Sequence, residues 1–116
     1  MTIEPVIAVV SYAPVYVSGV LLVSHAIYKY DLGPTDLQFI RLPKGAQLLH
    51  VETQHQGIKL WALVNLNESE EETRNILIKG TGHAIEEPID LLKHISTFMT
   101  ADKMFVFHAF EVVDDD

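Results

Sequence analysis

A chain of 116 residues, 48% hydrophobic and carrying five Phe, four Tyr and one Trp, has the size of one domain and should bury roughly two-thirds of its unfolded surface. The absence of Cys excludes disulfides, thiolate zinc sites, iron–sulfur ligation and cysteine nucleophiles, and fits a reducing cytoplasm. A formal charge of -8 argues against direct nucleic-acid binding, which needs a basic patch to neutralise phosphates.

From Pro5 to Tyr28 there is no Asp, Glu, Lys or Arg. The stretch is long enough for a membrane helix, but Pro14, Gly19 and many β-branched residues interrupt it. Ser24-His25-Ala26 has the small-x-small form of a signal cleavage site, yet Glu4 stands where a signal peptide carries positive charge. The composition suits buried strands better, and the reading is two of them, Val6 to Tyr12 and Val15 to Val23, broken at Ala13-Pro14. Residues 1–24 are then an apolar arm, and self-association as a homo-oligomer is the expected way to cover it.

From His25 onward the pattern is a meander of short strands with turn signals, which predicts an all-β antiparallel sandwich or barrel of six to eight strands. The first runs from His25 to Asp31 and stops at Leu32-Gly33-Pro34. The second, Leu37 to Leu42, ends at Pro43-Lys44-Gly45. In the third, Gln47 to Thr53, alternation puts Leu49, Val51 and Thr53 on one face and Leu48, His50 and Glu52 on the other. The fourth, Ile58 to Leu66, has Leu60, Ala62 and Val64 facing together, after a four-residue loop in which Gly57 supplies the positive φ. Asn67 to Glu72 is predicted as a solvated acidic loop. Arg74 to Lys79 is the fifth strand, ending at Gly80-Thr81-Gly82. A short helical turn is expected near 86–92, then a strand from His94 to Met99. The last strand runs from Met104 to Val113, before the acidic tail of Asp114 to Asp116.

The strings IYKY, LPKGAQLLHV, LWALVN, GTGHAIEE and FVFHAFE together, spanning about 26–111, resemble a family of small proteins of unknown function common in phages and prophages. The resemblance implies a compact β domain in a bacterial cytoplasm and no assigned activity. It also implies a protein that acts by binding a host protein or a small host molecule.

Six His residues raise a metal hypothesis, but no pair has the spacing of a ready chelate on a strand or helix. A set from distant strands, His83, His108 and Glu111, stays open, while no metal and no cofactor are expected. Gly80-Thr81-Gly82-His83 has the two glycines of an anion-cradling nest but none of the remaining phosphate-loop pattern, and a plain strand-ending turn accounts for it as well. If there is a small-molecule pocket, Gly82 and His83 are its expected polar members, since loops on a rigid sheet carry most binding groups. His108 sits in the most apolar strand with Glu111 nearby, and reads as either a satisfied core histidine or a ligand contact. Trp61 and Tyr28 are core or rim aromatics that would also serve as a stacking wall. No nucleophile motif appears, so no catalytic residue is assigned.

The leading expectation is therefore a non-catalytic accessory protein that binds a host protein or small ligand as a homo-oligomer. Two alternatives stand beside it: an acidic mimic of nucleic acid that inhibits a host enzyme, and a small nucleotide-processing hydrolase built on His83 and His108.

Overall fold

Branched and aromatic residues alternate with polar ones through most of the chain, and the backbone follows that period. The computed structural model describes residues 3–4, 15–22 and 24–113. Its strands are β1 (Ile3–Glu4), β2 (Val15–Val17), β3 (Val20–Leu22), β4 (His25–Leu32), β5 (Leu37–Pro43), β6 (Gln47–Gln54), β7 (Gly57–Asn65), β8 (Glu71–Gly80), β9 (Leu92–Met99) and β10 (Val106–Val112). Among the described residues one 3-10 turn, Ile89–Leu91, falls where a helical turn was expected.

Two four-stranded antiparallel sheets form a small all-β sandwich, one in the order β1-β4-β7-β6 and the other β5-β8-β10-β9. Inward side chains from both sheets make one core, with Tyr30, Val51, Leu60 and Val64 from the first meeting Ile40, Leu42, Ile76 and Phe98 from the second. Leu60, Ala62 and Val64 of β7 are all buried, as their alternation requires. β8 and β9 are both antiparallel to the β10 strand between them, so they run parallel to each other. Residues 81–91 carry the chain back along the length of β10 to start β9.

Edge strands β6 and β9 close one side of the sandwich through side chains. The Ser96 hydroxyl accepts from the Val51 N–H at 2.8 Å and donates to the Val51 carbonyl at 2.7 Å, both buried. Farther along the same seam, Thr53 Oγ1 donates to the Met99 carbonyl at 2.7 Å.

Several local expectations change. The predicted strand Val6 to Tyr12 lies outside the described residues, as does the tail from Asp114. Where one strand was expected from Val15 to Val23, Val15 to Leu22 is a hairpin, because Ser18 and Gly19 both take positive φ (51° and 78°), which reverses the chain in two residues. The β6–β7 turn is likewise two residues, with His55 and Gln56 at φ 52° and 65°, while Gly57 is already a strand residue opposite Gln54. In β6 the pairing passes from Leu48–Ala62 to His50–Trp61, so Leu49 is an extra, bulged residue. Leu48 therefore packs on the core together with Val51, and Leu49 is exposed.

Glu71 and Glu72, read as solvated loop, begin β8, where Glu72 accepts from the Gly45 N–H at 2.8 Å. Met104 and Phe105, read as strand, belong to a turn closed by the Thr100 N–H donating to the Phe105 carbonyl at 2.9 Å. Within it Asp102 Oδ1 accepts from the Met104 N–H and the Thr100 hydroxyl. Those bonds, the Thr100 hydroxyl foremost, hold the Asp102 carboxyl below its ordinary pKa.

Candidate functional site

Three recesses surround the β9–β10 turn at one end of the sandwich. The most enclosed lies between the sheets, holds about 290 Å³, and is lined by Ile58, Ile78, Phe98 and Phe107 with Pro34 and Ala101. Its rim is Thr35, Asp36, Thr53, Gln56 and Thr100. Ile78, Phe98 and Phe107 come from the inner face of the second sheet and Ile58 from the first, so the cavity continues the core to the surface.

The rim loops are fixed in place. Gln38 ties down the β4–β5 loop, accepting from the Gly33 N–H at 2.7 Å and donating to the carbonyls of Gly33 at 2.9 Å and Thr35 at 3.0 Å. The β6–β7 turn holds two non-glycine residues in the left-handed region, and Lys103 in the β9–β10 turn is a third at φ 62°. Such conformations cost on the order of 1–3 kcal/mol each and gather at ligand clamps. Asp36 is the sole charged lining group, and Lys79 Nζ donates to it at 3.3 Å.

A second, more open recess of about 320 Å³ lies on the other side of the turn, against Gly80, Thr81, His83 and Met104 to Phe107. The His83 ring rests on Gly80, where an added Cβ would come within 3.0 Å of it. Met104 and Phe105 are 71% and 60% exposed there. A third recess follows the β6–β9 seam past Glu52, Thr97 and Lys103.

The residues expected from the sequence are dispersed. His83 alone lines one of these recesses, and Gly82 beside it serves the turn with φ 89°. His108 is on the outer face of the second sheet, with Thr81 Oγ1 2.7 Å from Nε2 and Thr97 Oγ1 2.9 Å from Nδ1, so both ring nitrogens are engaged. His94 joins the same chain through Thr97 at 3.1 Å and sets its ring edge on Phe110.

Glu111 faces the other way. It is buried and receives Nε and Nη2 of Arg74, the latter at 3.0 Å, while Arg74 Nη1 donates to the Ala46 carbonyl at 2.7 Å. The bond to Glu111 is the main reason the Arg74 guanidinium is held above its ordinary pKa. His83, His108 and Glu111 therefore do not form one site, and among the described residues no cluster of three His, Asp or Glu could hold a metal. Trp61 and Tyr28 fall on opposite faces of the first sheet, Trp61 outside beside His50 (ring centroids 6.1 Å) and Tyr28 inside against the core beside Tyr30 (6.4 Å).

No helix among the described residues is long and apolar enough to cross a membrane. The family model for a domain of unknown function, DUF7352, matches residues 23–116. No curated protein matches this chain, and no solved structure does.

Proposed function

The chain belongs to the DUF7352 family, and we propose that it is a non-catalytic binding domain that takes a small apolar group into the cavity at the β9–β10 end. One observation carries the reading: among the described residues the core opens to solvent at a recess whose floor is aliphatic and aromatic and whose rim loops are held in strained or hydrogen-bonded conformations. A cavity of roughly 150 Å³ already accepts benzene. At about 290 Å³ this one suits a two-ring or branched apolar group.

Phosphate is a poor fit, because the one charged lining residue is the carboxylate of Asp36. This weighs against the hydrolase alternative, as does the engagement of both His108 ring nitrogens. The acidic-mimic alternative wants unpaired carboxylates on one face. Instead Asp31, Asp36, Glu70, Glu71, Glu72 and Glu111 each lie within 4 Å of a Lys or Arg, and they are spread over both sheets. The same proposal takes in a phage or prophage origin, action in the bacterial cytoplasm and a small host molecule as ligand, supported by the sequence resemblance and the cysteine-free, acidic composition.

Titration with indole, followed by amide chemical shifts, tests the reading. Saturable shifts confined to Ile58, Ile78, Phe98 and Thr100, lost when Ala101→Trp blocks the mouth, are expected. Shifts that are absent up to the solubility of indole, or that survive the blocking variant unchanged, refute it.

A further inference from the structure

Of the strand edges in the two sheets, those of β6 and β9 face each other across the Ser96 seam, and β1 holds the middle of the β4 edge at Lys29 and Tyr30. The β5 edge has no neighbour among the described residues. β5 pairs with β8 without a bulge, from Leu37–Leu77 to Pro43–Glu71. The Ile78 N–H donates to the Asp36 carbonyl and the Lys44 N–H to the Glu70 carbonyl, which fixes the phase of that ladder. Even-numbered residues of β5 bond to β8, and the backbone groups of Leu37, Phe39, Arg41 and Pro43 point outward.

The side chains of these outward-bonding residues share the solvent face, where Phe39 is 67% and Leu37 45% exposed. An uninterrupted edge with unpaired donors and apolar side chains is a template for another strand.

We infer that β5 is a self-association surface, pairing antiparallel with β5 of a second copy of this chain about a two-fold axis at Ile40. The strand is complementary to itself in that register. Phe39 and Arg41 of one copy exchange both backbone bonds with Arg41 and Phe39 of the other, and the Leu37 N–H reaches the carbonyl of Pro43. Proline, which has no N–H to offer, stands at the last position, where only its carbonyl is required. On the solvent face each Phe39 ring lies opposite an Arg41 guanidinium, a favourable cation–π pair. No acidic residue occurs between Leu37 and Pro43 to oppose this arrangement. The interface is independent of the cavity. One strand edge is a small interface, so the dimer is weak and depends on concentration.

Sedimentation equilibrium of the full chain should show a monomer–dimer equilibrium. Phe39→Pro removes one outward N–H and the aromatic ring without touching the β8 ladder, and should weaken the dimer roughly tenfold or more. Hydrogen exchange supplies a readout without any variant. In the wild type the amides of Phe39 and Arg41 should gain protection as concentration rises, while Gln38 and Ile40 are protected throughout. A chain that stays monomeric, a dimer indifferent to Phe39→Pro, or Phe39 and Arg41 amides that exchange at a rate independent of concentration each overturns the inference.

Discussion

Replacing Ser96 with alanine removes the hydroxyl that joins the two sheets at the β6–β9 seam. The Val51 N–H and carbonyl, bonded to that hydroxyl at 2.8 and 2.7 Å, are then buried without partners. Leaving a buried polar group unsatisfied costs about 1–3 kcal/mol, so the pair should cost about 2–6 kcal/mol. That is a large share of the 5–15 kcal/mol typical of a domain. At about 2.1 cal/mol/K of unfolding entropy per residue, a chain of this length loses about 4 °C of Tm per kcal/mol, which predicts a fall of about 8–24 °C. Urea denaturation should show a lower midpoint at unchanged slope, and the Val51 amide should lose its exchange protection. Ser96→Thr, which keeps the hydroxyl, and Thr97→Ala, on the exposed side of the same strand, serve as controls. Stability within about 0.5 kcal/mol of wild type, the scatter of ordinary surface substitutions, with Val51 still protected, would mean that the sheets are held together without this bridge.

Glu111→Ala removes the bidentate partner of the Arg74 guanidinium, whose side chain is 17% exposed, leaves it Glu72 and the Ala46 carbonyl, and should destabilise by about 1–3 kcal/mol by chemical denaturation. The double change Arg74→Met with Glu111→Leu should recover most of that loss, and equal loss in both variants would refute the assignment. Burial raises the Tyr30 phenol from 10.0 to about 12, with Tyr28 and Glu71 adding to the shift. The folded state thus holds this proton more tightly than the unfolded one. Its contribution is complete below pH 10 and is lost as pH rises through about 12, a difference of ~3 kcal/mol. Tyr30 is fully buried and its hydroxyl has no hydrogen-bond partner. Tyr30→Phe should therefore be neutral or slightly stabilising at pH 7 and should flatten the alkaline limb of the stability profile; a limb as steep as wild type would count against the reading.

The cavity follows from the way the sandwich ends. Its walls are inward residues of four strands, and those residues are core by every local criterion. Ile58, Ile78, Phe98 and Phe107 read in the sequence as ordinary strand hydrophobics, and they form a recess because the β9–β10 turn begins at Thr100 instead of continuing the sheet over them. The rim was partly visible: Leu32-Gly33-Pro34 was a stop signal, and Gln54 to Gly57 a hairpin. That His55 and Gln56 carry the positive φ was not, since Gly57 beside them is the residue that pattern favours for it.

The polar candidates are dispersed for a related reason. His108 and Glu111 are three apart on β10, which places them on opposite faces of the sheet, so one meets threonines outside and the other an arginine inside. His83 was legible as a loop histidine, and in the structure its ring rests on Gly80 beside a recess.

Alternation along the chain was enough to determine that this protein is an all-β, antiparallel structure with Leu60, Ala62 and Val64 in its core, because side chains on a strand change face at every residue whatever lies beyond. Which strands become edges, where Ser96 bridges them, where a bulge at Leu49 reverses the pattern, and where the core opens into a cavity were decided only by tertiary pairing. Each of these depends on contacts between residues far apart in the chain, and a local period carries no information about which distant strand will stand opposite.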